Sequence, residues 1–302
     1  MTTTLERPPA PRPLREKVGN ARRRGLVDRL MRGLLIVTVL FAVIPLLLVL
    51  VVTVQRGLGA FSWEFLTSEP PYNPTAEGGG YGPMIFGTLY MTAIAVLLSV
   101  PLGVAASVFL VEYHQSRLVP VVRFFSDVMT GVPSIFVGLF VFSSLVVGAG
   151  LGFGTLVGAI ALAVLMLPIV VRSSEEVLRL VPQDLRNAAY GLGARRWQVV
   201  TRVVLPAAGP GLATSSMLAV ARGAGETAPL LLTALGTHRL VTELVGRPQG
   251  AVPIQVLNDA RTPFEFAIER AWAGALTLMV LVLLFTIAAR LLARRSQLGD
   301  AG

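Results

Sequence analysis

The segment GLLIVTVLFAVIPLLLVLVVTV, residues Gly33 to Val54, runs for 22 positions without a charged side chain. A bilayer's hydrocarbon core is about 30 Å thick and a helix rises about 1.5 Å per residue, so roughly 20 apolar residues cross it. The run is too long for the core of a cleaved signal peptide, and no small-x-small cleavage site follows it. It reads as a retained transmembrane helix. Composition agrees: of 302 residues, 54% are hydrophobic and 14% charged, and the mean hydropathy is +0.70. That profile excludes an ordinary soluble domain and indicates one integral membrane domain.

Five further apolar stretches follow: Phe86 to Val111, Val128 to Val147, Thr155 to Val171, Gly211 to Leu235 and Ala271 to Leu292. The basic residues orient them. Residues 1–30, the 112–127 loop, the 172–210 loop and the C-terminal end carry or adjoin twenty Lys and Arg, against five in the alternate loops. The expected fold is therefore all-α and integral to the membrane, a six-helix transmembrane bundle with both termini cytoplasmic. Residues 1–30, basic and Pro-rich, read as a disordered cytoplasmic tail, and 31–302 as the membrane domain. Segments 55–85 and 236–270 become external loops with short helices, and Gly148-x-Gly150-x-Gly152-x-Gly154 becomes an external turn between the third and fourth spans. The net charge of +9 lies mostly beside membrane ends, which fits topology better than a nucleic-acid surface.

Several chemistries are excluded. There is no cysteine, so disulfides and thiolate metal sites are absent. His114 and His238 show no metal-ligand spacing. The single lysine, Lys17, is followed by Val18, so no Gly-Lys-Ser/Thr phosphate loop exists and the chain binds no ATP through that motif. No nucleophile–base arrangement suggests an enzyme.

One stretch breaks the apolar pattern. Ala221-Arg222-Gly223-Ala224-Gly225-Glu226-Thr227-Ala228-Pro229-Leu230 sets an arginine and a glutamate four residues apart within the fifth span. A charge near the bilayer centre costs about 2.5–3.5 kcal/mol on insertion scales and marks a functional site by default. At about 100° per residue, Ser215, Glu226, Pro229 and Thr233 share a face with Arg222; Thr227, next to Glu226 in the sequence, is a further candidate for the path. Such a polar stripe suits the wall of a solute path. A self-neutralising pair that locks helix packing is the alternative. Thr130 and Ser134, four apart at the third span, are further hydroxyl candidates for the path, or helix caps beside Pro133.

The 172–210 loop holds Asn187-Ala188-Ala189-Tyr190-Gly191-Leu192-Gly193 and, nine residues on, Val203-Val204-Leu205-Pro206. A short helix over Gln183 to Tyr190 with small side chains could seat in a partner's cleft, and Gly193 permits a sharp turn after it. This pattern resembles the cytoplasmic coupling signature of ABC-importer permeases: Glu-Ala-Ala, three residues, Gly, nine residues, Ile-x-Leu-Pro. Ala188, Ala189, Gly193, Leu205 and Pro206 match, while Asn187 stands for the usual Glu and Val203 for the usual Ile. Together with Ala221 to Leu230, Thr130-Gly131-Val132-Pro133-Ser134-Ile135 and Ala271-Trp272-Ala273-Gly274, it resembles the PstA-type permeases of phosphate-specific ABC importers over about residues 30–295. The resemblance implies a phosphate path in the cell's inner membrane using Arg222 and Glu226. It also implies a homologous second permease, an ATPase dimer that holds ATP and magnesium, and an extracytoplasmic phosphate-binding protein. A permease for another oxyanion and a self-contained secondary carrier are the alternatives.

Overall fold

A computed structural model describes residues 21–298. The chain divides into two units, Met1–Val52 and Thr53–Gly302. The first contributes most of α1 (Ala21–Ala60), which begins within the stretch expected to be tail. An Asp28–Arg32 pair at 3.1 Å, one turn apart, supports that extension. The rest of the expected tail, residues 1–20, lies outside the described residues.

The second unit is a helical bundle. After the end of α1 come α2 (Trp63–Thr67), α3 (Gly82–Glu112), α4 (Val119–Gly131) and α5 (Ser134–Val141), which runs on through π-helical turns to Gly148. Next are α6 (Thr155–Arg179), α7 (Gln183–Gly191), α8 (Arg196–Val199), a π-helical stretch Val200–Val204, and α9 (Leu205–Ala224). The last three are α10 (Ala228–Thr233), α11 (Val252–Ala260) and α12 (Glu265–Leu298). Among the described residues, five helices are long and apolar enough to cross a membrane, and α4 with the α5 segment makes a bent sixth candidate.

Glycine seams hold the centre together. A methyl group on Gly103 of α3 would stand 2.6 Å from Val170 of α6, one on Gly211 of α9 would stand 2.5 Å from Val177 of α6, and one on Gly223 would stand 2.7 Å from Met166. Lipid tails are as apolar as leucine, so such close approach, rather than hydrophobic exclusion, drives helix association in a membrane. Met91, Leu162, Met166, Val170, Ala219 and Leu230 fill the core around these seams. At the end of α1, Gly57 lets Leu276 and the Trp272 carbonyl of α12 approach, and the Arg56 guanidinium lies 5.4 Å from the Trp272 ring.

Three expectations about the spans change. The third span is not one rod: α4 and the α5 segment meet at 108°. Val132 precedes Pro133 and is held extended (φ −72°, ψ 126°), because the proline ring disfavours helical geometry in the residue before it. The fifth span, expected as 211–235, stops at Ala224 and resumes at Ala228. A helix continued through Pro229 would lose a hydrogen bond and clash with the carbonyl four residues back, whereas proline in the first turn of a new helix costs nothing. The 172–210 segment is mostly helix, with α6 reaching Arg179 and an almost unbroken run from Arg196 to Ala224. The glycine-rich stretch after Gly148 forms a turn, with left-handed backbone at Gly150 and Gly152 (φ 68° and 71°).

Candidate functional site

The interruption between α9 and α10 sets the geometry of the first candidate site. The amides of Gly225 and Glu226 donate to the carbonyls of Arg222 and Gly223, closing α9, and Leu231 N–H donates to Thr227 to open α10. Arg222 sits in the last turn of α9, where the helix dipole favours a cation. Its Nε lies 3.6 Å from Glu226 Oε1, an ion pair too long for a hydrogen bond. The Arg222 side chain is 69% exposed and that of Glu226 19%, so the guanidinium leaves the core of its own chain. Irregular backbone at membrane depth is tolerated only where protein buries it or it lines a cavity.

The surroundings are rigid. Gly138 of α5 has no side chain, which lets Pro229 of α10 sit against its backbone, and Gly158 of α6 does the same for Leu230. Beyond α10, Leu235 adopts a left-handed φ of 67°. Gln249 N–H donates to the Ala234 carbonyl, and Thr155 Oγ1 donates to the fully buried Gln249 side chain at 3.0 Å.

The helix break takes Thr233 out of the polar stripe expected from helical spacing, and Ser215, in the same helix as Arg222, turns into the packing. Arg222, Glu226 and Thr227 stay together at the break. Thr233 is buried and donates to the Pro229 carbonyl. Ser215 is buried between α9 and α6, its hydroxyl 3.2 Å from that of Ser174 and donating to the Leu212 carbonyl. Ser134 opens α5, which packs on α10. Thr130 lies across the bend in α4 and donates to Ser126 O within its own helix. The Pro133 position, not Thr130 or Ser134, caps α5.

The second candidate site is α7 and the turn after it, folded as the spacing suggested. Gly193 takes φ 82°. Asn187, Ala188, Leu192 and Trp197 face outward; Leu192 is 90% exposed. Ala189 instead faces inward, packed with Leu178, Val199, Val204 and Leu212, and Leu205 is half-buried against that cluster. Pro206 lies in the first turn of α9.

Sequence reading missed three charged groups. Glu175 of α6, 3% exposed, accepts from Arg123 of α4 at 2.7 Å and Arg179 at 2.6 Å, with Arg172 at 3.4 Å and Asp127 beyond it. Glu112 pairs with Arg186 at 3.0 Å, both buried. Tyr81 donates to Asp259 at 2.7 Å, and Arg270 clamps the carbonyls of Pro74, Ala76 and Gly78. Burial first, and then the Asp259 carboxylate, push the Tyr81 phenol above its usual range. Only Arg172, Glu175 and Arg179 carry a local signal, their helical spacing; the other partners are far apart in sequence. Among the described residues, no three His, Asp or Glu side chains converge to hold a metal.

Residues 99–297 match the family of binding-protein-dependent transport system inner membrane components. A PstA phosphate transport system permease of Yersinia pestis is 39% identical over 266 residues, covering 88% of this chain and 89% of its own. Those of Xylella fastidiosa (38%; 81% and 85%) and Mycobacterium tuberculosis (PstA 1, 36%; 83% and 83%) are similar. The fold matches a chain of the inward-facing MetNI methionine ABC transporter with a TM-score of 0.60 at 20% identity, over 70% of this chain and 94% of that one. The chain belongs to the family of binding-protein-dependent transport system inner membrane components, on its PstA branch.

Proposed function

We propose that the chain is a permease subunit of an ATP-driven importer that takes inorganic phosphate across the inner membrane. The observation that carries this reading is Arg222, an arginine in a broken spanning segment whose guanidinium points away from its own core. A planar fork of donors suits two phosphate oxygens. Because Arg222 faces outward, the path is completed by another surface, which we assign to a homologous second permease. Glu226 neutralises Arg222 at rest; a 3.6 Å contact without a hydrogen bond is given up readily when an anion arrives. Thr227 beside Glu226 and Ser134 at the start of α5 add hydroxyls, whereas we assign Ser215 to helix packing and Thr130 to a bond within its own helix.

The outward face of α7, with Asn187, Ala188 and the turn at Gly193, docks an ATPase dimer; Ala189 and Leu205 support it from behind, and Pro206 starts the helix that follows. ATP and magnesium are bound by that partner. An extracytoplasmic phosphate-binding protein delivers the solute. Uptake of labelled phosphate by the Arg222→Gln transporter tests the path: wild-type uptake at normal abundance would overturn it. Sulfate competing as well as phosphate would point to another oxyanion, and uptake without ATP to a self-contained carrier. With both termini placed in the cytoplasm, a cysteine at exposed Leu192 should react with impermeant thiol reagent only from inside, and one at exposed Arg247 only from outside.

A further inference from the structure

Glu112 is electrostatically misplaced. It is the last residue of α3, where the helix dipole is negative, and its side chain is 5% exposed. An acid there is unfavourable on both counts unless a cation compensates it. Arg186 of α7 supplies that cation. Its Nε donates to Glu112 Oε1 at 3.0 Å, while its terminal nitrogens donate to the carbonyls of Leu178 (2.9 Å) and Val181 (2.5 Å) at the end of α6. The last carbonyls of a helix lack partners within it. One guanidinium therefore closes the end of α6 and neutralises the end of α3 together. Arg186 directly precedes Asn187 and Ala188, so this knot lies immediately behind the outward face of the docking helix. A second tie runs beside it: the Arg196 guanidinium of α8 lies 4.7 Å from the Tyr113 ring, next to Glu112.

We propose that Glu112 and Arg186 form a buried clip through which displacement of α7 is carried to the C-terminal end of α3. Both are thus positioning residues for ATP-driven transport. This rests on the reading of α7 as the ATPase dock. Apolar packing of Ala189 holds α7 in place, but side chains packed without hydrogen bonds slide past one another. A three-pronged, charge-assisted contact resists that sliding, and among the described residues only the clip reaches from α7 across to α3 through bonds of fixed direction.

The test uses the complete transporter in proteoliposomes, with ATP hydrolysis and phosphate entry measured on the same sample. Glu112→Gln and Arg186→Gln should keep the ATPase bound and hydrolysing while phosphate moved per ATP falls about tenfold or more. The double variant Glu112→Gln/Arg186→Gln leaves no unpaired buried charge, so it guards against misfolding of the singles. It should assemble normally and still couple poorly. Arg186→Lys should resemble Arg186→Gln, since one ammonium cannot reach all three acceptors. Wild-type phosphate per ATP in the double variant would overturn the clip, and so would loss of the ATPase from it. The docking reading itself falls separately, if Ala188→Arg on the outward face leaves the ATPase bound in an otherwise wild-type chain.

Discussion

Two arginine–glutamate contacts in this molecule have opposite character. Arg222 and Glu226 are four residues apart, 3.6 Å apart in space and joined by no hydrogen bond, with the arginine mostly exposed. Arg186 and Glu112 are 74 residues apart, 3.0 Å apart in space and almost wholly buried, with two carbonyls on the same guanidinium. The first costs little to open. The second is costly to disturb, because a buried charge that loses its partner keeps its desolvation penalty. The difference suits a pair that must yield to a passing anion and a pair that must not yield to a moving helix.

Four measurements break or sharpen that contrast. Arg186→Met should lower unfolding stability by about 3–5 kcal/mol, seen as a fall in the melting temperature of the detergent-solubilised complex. A loss no larger than that of Glu226→Gln would erase the contrast. Arg222→Gln should leave that melting temperature in place but reduce phosphate uptake roughly a hundredfold, since two charge-assisted bonds together are worth about 3 kcal/mol or more. Tyr81→Phe removes a buried donor to Asp259 and should cost about 1 kcal/mol. Because the phenol's pKa is raised in the fold, that contribution is complete below about pH 10, the unfolded value, and fades above it. An equal wild-type advantage at still higher pH would contradict this. Smallest is Glu226→Gln, whose effect on melting should stay below about 1 kcal/mol even though uptake suffers.

What could be read from the sequence follows from the range of the physics involved. Apolar run length acts locally, so the five long apolar helices and the bent sixth candidate were visible. The short helix α7 was visible too, because Gly193 and the helix before it are set by neighbours in sequence. Proline acts locally too: Pro133 and Pro229 lie inside apolar stretches that read as single spans, yet each interrupts its span and starts a new helix. That changed the site, since a continuous helix would have put Thr233 beside Arg222, and the break leaves it in the packing. Glu112 and Arg186 stayed hidden because no local rule joins residue 112 to residue 186. The one available hint was an acid at the wrong end of a helix.

The glycine seams carry a mechanical consequence. Gly103, Gly211 and Gly223 bring α3, α6 and α9 into contact so close that none of the three can rotate or slide on its neighbour without collision. Whatever pulls on α3 therefore turns all three helices as one lever. Spin labels on α3 and α6 should keep a constant separation through the nucleotide cycle, while the distance from either to a label on the second permease swings.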